Sequence, residues 1–501
     1  MSNANYQEIV KRAQDLASLK STLALLEWDQ QTYLPAQAGA FRAQQCTTLA
    51  GLIHQRETDP ALGDLLNSLI DSTDLNPRES SNVREMKRQY EKKCKLSREL
   101  VEALAKATST GQQVWTEAKT QADFRVFEAS LKAIFDLKRE EADAIGHQGC
   151  RYDALIDEFE PGAKTEVVES VLKGLCDEIV PLVKAIGQSE KRPNSELVRR
   201  SFPVDAQQKI SREVSEAIGF DFECGRIDVT AHPFCTTLGP RDVRLTTRYL
   251  ENYFNSAFFG TLHESGHGIY EQGLNQAEFG LPSGSYCSLG IHESQSRLWE
   301  NLVGRSEGFW RYFFPEVQKS FSNSLGKVEG GDFYQAINAS APSLIRVEAD
   351  EATYDLHIII RFELEKLLLD ETLAVADLPE AWNEKYVEYL GIRPNNHAEG
   401  VLQDIHWSAG LVGYFPTYTL GNIFAAQFFA SADEELGDLE SQFEKGEFSG
   451  LKNWLNRNIH DHGAQFNSEQ LVEKVVGEGP SHKNLVNHLK SKFGTIYELS
   501  F

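Results

Sequence analysis

Over most of this 501-residue chain, apolar side chains recur every three to four positions, and no other feature constrains the fold as strongly. In residues 5–27 they fall at Ile9, Ala13, Leu16, Leu19, Leu23 and Leu26, one stripe of an amphipathic helix. Residues 82–146 hold few helix breakers and alternate charged with apolar residues, as in VREMKRQYEKKCKLSRELVEAL. Long, partly exposed antiparallel helices are expected there, with the charge runs as solvated faces. Segments 165–188 and 204–218 repeat the pattern. It lapses at 223–250, where Gly, Pro and β-branched residues predict two short strands, near IDVT and VRLTT. Helical spacing resumes near Phe254 and runs to the end, with Gly/Pro breaks near 280–284, 391–394 and 410–416. No repeat, low-complexity tract or long linker divides the chain. A mainly α unit spanning 1–501 is expected, with two helical lobes around a groove.

Charge and cysteine usage narrow the function. Asp and Glu outnumber Lys and Arg by 74 to 50, a formal net charge of −24, and no dense basic stretch appears. A nucleic-acid partner needs a clustered basic face, so none is expected. The seven cysteines are scattered and form no CxxC pair, which reads as thiols in a reducing compartment. The N-terminal segment lacks the apolar core of a signal peptide, and no segment has the roughly 18 uncharged apolar residues of a membrane helix. A cytoplasmic protein with no membrane partner is the expectation.

The chemistry-bearing segment is TLHESGHGIYEQG, with His263, Glu264 and His267 as H-E-x-x-H. On a helix, positions i and i+4 share one face, so both imidazoles can bind one Zn²⁺ while Glu264 points at the open coordination position. The apolar, aromatic ENYFNSAFFGTL before it suits a buried helix. Gly266 and Gly268 weaken that helix by roughly 1 kcal/mol each against Ala, which points to close approach of another backbone or a ligand. Set against this is a surface helix with two incidental histidines.

A catalytic zinc site needs a third protein ligand. The position six residues past His267 is Gly273, which excludes a third nearby His. Glu293, in LGIHESQSRLWENLVG, follows a loop, GLPSGSYC, long enough for an antiparallel return helix. Glu293, Arg297 and Glu300 fall at i, i+4 and i+7 on one face. That makes Glu293 the ligand with Arg297 or Glu300 in support, against the alternative of an ordinary surface ion pair.

Several further segments, in order along nearly the whole chain, carry a resemblance. They are LLEWDQQTYLPAQAGAFRAQQ near the start, AHPF at 231–234, DVRLT at 242–246, HESGH at 263–267, HESQSRLWEN at 292–301, IRVEADEATY at 345–354 and GVLQDIHWSAGLVGYFPTYTLGN at 400–422. With them the chain resembles the thermostable-type metallocarboxypeptidases of peptidase family M32. The resemblance implies a large helical, saddle-shaped fold with a deep central groove and a small β-sheet beside the metal site. It implies removal of single amino acids from the free C-termini of peptides with broad specificity, by a cytoplasmic homodimer. Carried over by position, the ligands are His263, His267 and Glu293 and the base is Glu264, in agreement with the spacing. Zn²⁺ suits this donor set, with Co²⁺ or Mn²⁺ able to replace it.

In that reading the metal lowers the pKa of water, Glu264 takes the water proton, and the proton passes to the leaving amine. By resemblance, Tyr418 stabilises the carbonyl oxygen; otherwise it is a core tyrosine. Arg346 would hold the terminal carboxylate through paired hydrogen bonds, or else pair locally with Glu348, Asp350 or Glu351. His232, Arg244, Gln403 and His406 sit in family motifs and are expected to line the groove. A dipeptidyl carboxypeptidase or oligopeptidase is the alternative from the same chemistry. A peptide-binding scaffold with an inert metal site is the alternative from another class.

Overall fold

The structure, a computed structural model, describes residues 4–501. Residues 1–3 of the expected 1–501 domain lie outside the described residues. The chain divides into two compact units. The first comprises Met1–Cys94, Asn194–Ile337 and Phe428–Gly477, the second Lys95–Pro193, Asn338–Gln427 and Glu478–Phe501. Both are mainly helical. No helix of the described residues is long and apolar enough to cross a membrane.

In the first unit the helix Ala4–Thr32 covers the segment expected from its apolar spacing. Asp59 caps the helix Pro60–Leu69 by accepting from the Ala61 amide, with proline at the first helical position, where its missing N–H costs nothing. The expected 204–218 helix is Val204–Ile218, and the helical restart at Phe254 is the first residue of Phe254–Gly273. Between them lies a three-stranded sheet, β1 (Gly225–Val229), β2 (Cys235–Gly239) and β3 (Asp242–Thr247), in the order β1-β3-β2. β1 runs parallel and β2 antiparallel to β3. The sequence predicted two strands here. β2 was missed because CTTLG has a register shift between Thr237 and Gly239 and is closed by a Gly-Pro turn, so it lacks clean alternation.

The helix Phe254–Gly273 is held on two sides. Phe254 and Phe258 pack with Phe202, Trp310, Phe321 and Phe333 in an aromatic cluster. On the other side it packs against β3, whose Val243 and Leu245 are fully buried. The two helix-weakening glycines meet close neighbours, as their cost implied. A Cβ on Gly266 would lie 2.6 Å from the Gln295 carbonyl oxygen, and one on Gly268 2.6 Å from the Phe220 ring. Gly266 therefore lets the return helix Leu289–Arg297 approach backbone to backbone.

The stretch 82–146 resolves into separate helices, its first part in Pro77–Cys94 of the first unit and the rest including Arg98–Gln121 and Arg125–Ile145 of the second, where the 165–188 segment is the helix Thr165–Gln188. The helix Tyr354–Leu369 (YDLHIIIRFELEKLLL) is buried on nearly all sides, with its Arg361 and Glu365 in the core. A helix apolar on every side belongs in a core, and charges inside it must find partners there.

Candidate metal centre

His263 and His267 project from one face of the Phe254–Gly273 helix, their rings 4.8 Å apart between centroids. The return helix starts at Ser288, whose hydroxyl caps it by accepting from the Ile291 amide at 3.0 Å. It delivers Glu293 between the two imidazoles. Glu293 Oε2 stands 3.7 Å from His263 Nε2 and 3.5 Å from His267 Nε2. All three ligand atoms lie within 4.8 Å of one another. Ligands about 2.0–2.1 Å from a tetrahedral ion stand about 3.3–3.5 Å apart, so the His–Glu separations fit one divalent cation.

The far sides of both rings are tied down. His263 Nδ1 meets Glu300 Oε2 at 2.9 Å and His267 Nδ1 meets the His292 carbonyl at 3.0 Å. An N–H donated from each Nδ1 leaves each Nε2 lone pair facing Glu293, the tautomer that metal ligation needs. Glu293 is oriented in turn. Its Oε1 accepts from Arg297 Nε at 2.7 Å, leaving Oε2 toward the histidines. His292 stacks on His267 at 4.4 Å, and its Nε2 meets Glu271 Oε1 at 2.9 Å. Thr237 on β2 donates to Glu271 Oε2 at 2.8 Å, so the sheet braces the ligand helix.

The expected supporting pair, Arg297 and Glu300, is present, at 3.3 Å between NH1 and Oε2. The helix that carries it is not uniformly α. Residues Leu298–Val303 form a π-helix, closed by the Gly304 amide on the Trp299 carbonyl. Such wide turns cluster at functional sites. Arg305, bonded to the Ile337 carbonyl and lying over the Phe259 ring, approaches Glu300 Oε1 at 3.7 Å.

Charge follows from this geometry. The carboxylates of Glu264, Glu293 and Glu300 are set against the guanidiniums of Arg297 and Arg305. Burial opposes ionisation of Glu293, yet Arg297 and the two histidines hold it well below the usual carboxylate range. Glu300, also buried, is lowered to about 2, mainly by Arg297 and His263. Glu264 moves the other way, to about 7, because burial and the neighbouring Glu293 and Glu300 outweigh His263. Burial would lower the pKa of His263, but Glu293 and Glu300 raise it. Burial, helped by His292, drops His267 to about 3. The centre is rich in negative charge, a cation satisfies it, and bound positive charge would return Glu264 toward its carboxylate form.

The second unit brings together most of the remaining candidates. Arg346 is buried and does not pair with Glu348, Asp350 or Glu351. It meets Asp404, with Nε at 2.9 Å and NH2 at 2.8 Å from Oδ1. The reason is local: residues 346–348 are one 3-10 turn, which cannot offer the i,i+4 spacing of a helix ion pair. Gln403 holds the Arg346 segment in place, its side-chain oxygen accepting from the Arg346 amide at 2.9 Å and its nitrogen donating to the Leu344 carbonyl at 3.0 Å. His406 Nε2 meets the Tyr418 hydroxyl at 3.2 Å. Burial pushes His406 down to about 4, so its ring is neutral.

His232 and Arg244 belong to the first unit. His232 is exposed in the turn between β1 and β2. Arg244 on β3 pairs with Asp242 at 2.8 Å and stacks 4.3 Å from the Trp28 ring. Sequence reasoning missed Glu271, Arg305, Asp404 and Arg361. Arg361 did leave a signal, a lone cation inside the apolar run IIIRF.

The chain is similar to known proteins along nearly its whole length. A family model described as Carboxypeptidase Taq (M32) metallopeptidase matches residues 7–493. The chain is 45% identical to thermostable carboxypeptidase 1 of Thermus thermophilus, over 99% of each chain. It is 37% identical to carboxypeptidase 1 of Bacillus subtilis, over 98% of each. Among solved structures, the M32 carboxypeptidase of Deinococcus radiodurans superposes with a TM-score of 0.97 at 38% identity, covering 99% of this chain and 100% of that one.

Proposed function

Because the chain belongs to the Carboxypeptidase Taq (M32) metallopeptidase family and is a metallocarboxypeptidase, we propose that it removes single residues from peptide C-termini with Glu264 as general base. His263 Nε2, His267 Nε2 and Glu293 Oε2 are the proposed holders of the divalent cation. Held there, the cation supplies Lewis acidity and a lowered water pKa; zinc suits two imidazoles and a carboxylate, and cobalt or manganese can take the same place.

The chain's own residues do the rest. The Glu264 carboxylate takes a proton from water and returns it to the leaving amine nitrogen. Its burial supports that role, since a desolvated carboxylate binds a proton more readily than an exposed one. Arg346 holds the terminal carboxylate of the substrate, and the Tyr418 hydroxyl, oriented by His406, donates to the carbonyl oxygen as charge builds there. His232 and Arg244 are proposed to contact substrate, and Gln403 acts through the backbone of Arg346. Broad specificity and a homodimeric state are further proposals, resting on resemblance to the family. A cytoplasmic setting is proposed as well, supported by the absence of disulfides among the described residues.

The observation that carries the reading is Glu293 Oε2 within 3.7 Å of both histidine Nε2 atoms, with each Nδ1 already bonded. Digestion of a defined peptide, followed by mass, tests it. A ladder losing one residue per step is expected, abolished by Glu264→Gln while the metal stays bound. Losses of two residues would instead indicate a dipeptidyl carboxypeptidase. Internal cuts would indicate an oligopeptidase, and an unchanged peptide in both proteins an inert metal site.

A further inference from the structure

The hydrolytic chemistry uses only one member of a buried charge cluster in the second unit. Asp404 lies between two guanidiniums. Its Oδ1 meets Arg346, and its Oδ2 accepts from Arg361 Nε at 2.7 Å. Side-chain exposures are 8% for Arg346, 0% for Arg361 and 11% for Asp404, so no member is freely solvated. Two cations share one anion. No second carboxylate faces either guanidinium among the described residues: the Arg346 neighbours are Asp404, Tyr354 and Tyr418. Arg361 bonds the His357 carbonyl at 2.7 Å and stacks 4.4 Å from the Trp382 ring. His357 and His406 are neutral, since burial lowers both. Lys119, bonded to the Gln403 carbonyl, adds positive charge and cancels none.

A bare Arg346–Asp404 pair would be neutral, and its carboxylate could turn both oxygens onto Arg346 in the preferred fork-on-fork arrangement. Arg361 prevents both outcomes. By holding Oδ2 it confines Arg346 to Oδ1, which accepts from Nε and lies 2.8 Å from NH2, while NH1 donates to the Tyr354 hydroxyl at 3.2 Å. Each terminal nitrogen of Arg346 keeps at least one hydrogen without an acceptor among the described residues, donors that a second carboxylate can take.

We infer that Arg361 is a positioning residue which, by neutralising Asp404, leaves Arg346 a net positive charge and a free donor edge for the terminal carboxylate of the substrate. This rests on the assignment of Arg346 as carboxylate holder. Arg361 also fills core volume, so the test must separate charge from packing.

The probes are N-acetyl-phenylalanine and its carboxamide as competitive inhibitors, together with kcat and KM for a blocked dipeptide with a free C-terminus. Arg361→Met should weaken the acid and raise KM by roughly tenfold to a hundredfold, with kcat and the amide within about threefold. Arg361→Lys, which keeps the charge, should retain most of the acid preference. The double variant Arg361→Met with Asp404→Asn restores a net single positive charge and should regain acid binding over Arg361→Met alone. Parallel loss for acid and amide, equal loss in Arg361→Lys, or no recovery in the double variant would overturn the inference. Arg361→Gln serves as the neutral variant if the Met protein does not fold. Arg346→Met distinguishes failure of the Arg346 assignment from failure of the Arg361 role. If it keeps the acid preference, the assignment beneath is wrong; if it alone abolishes that preference, only the role of Arg361 falls.

Discussion

Around His263 and His267, three carboxylates face two guanidiniums; around Asp404, two guanidiniums face one carboxylate. Both groups are buried, both are built from guanidinium–carboxylate ion pairs, and they are unbalanced in opposite directions. Buried charges are costly unless paired, so a cluster one partner short is completed by what it binds. The acid-rich cluster calls for a cation and the guanidinium-rich one for an anion. A third group serves as contrast. Glu351 meets Lys492 at 2.7 Å and His488 at 2.7 Å, deep in the second unit, one carboxylate against one permanent cation. That balanced pair has nothing left to attract a ligand, and its contribution is to stability.

The comparison can be broken in several places. The largest effect is expected at Glu264, where Glu264→Gln should lower kcat by about 10²–10⁴-fold with metal content unchanged. Loss of metal along with activity would make Glu264 part of the cation site and not the base. Next comes the balanced pair. Removing one partner of a buried ion pair costs about 3–5 kcal/mol, so Glu351→Gln should lower Tm markedly at pH 7. The sign with pH follows from Glu351 being lowered to about 2 by Lys492 and His488 against the opposing effect of burial. A carboxylate lowered in the folded state contributes stability above its ordinary pKa, about 4.5, and that contribution fades as pH falls toward 2. The Tm gap between variant and parent should therefore close from pH 4.5 downward; a gap independent of pH contradicts the account.

Glu300→Gln removes one negative charge and leaves His263 Nδ1 a neutral amide oxygen in place of a carboxylate. It should weaken metal affinity by about 10–100-fold, read by titrating metal-free protein. Unchanged affinity would mean that the excess negative charge is incidental. The smallest effect is expected at Thr237→Val, which unties Glu271 from the sheet and should weaken the metal by less than about tenfold. A larger loss would show that the sheet, and not the return helix, sets the site.

The sequence revealed what is local and little that is remote. The boundaries at Thr165–Gln188, Val204–Ile218 and Phe254 follow from apolar spacing and breakers, and the first two ligands follow from one helical turn. Glu293 was legible because the loop and return helix between it and His267 are short. The π-turn at Leu298–Val303 was not, since its residues fit an α-helix equally well. Asp404 lies 58 residues from Arg346 and 43 from Arg361, and no periodicity reports on such pairs. The local carboxylates near Arg346 proved misleading, because Asp350 accepts from Ser340 and Glu351 is committed to Lys492 and His488.

The central claim is that two histidines and one glutamate hold the cation of this enzyme. Anomalous diffraction at the absorption edge of the bound metal tests it most directly. The account predicts a peak about 2.0–2.2 Å from His263 Nε2, His267 Nε2 and Glu293 Oε2 in the active protein. A peak away from these three atoms, with activity retained, would contradict it.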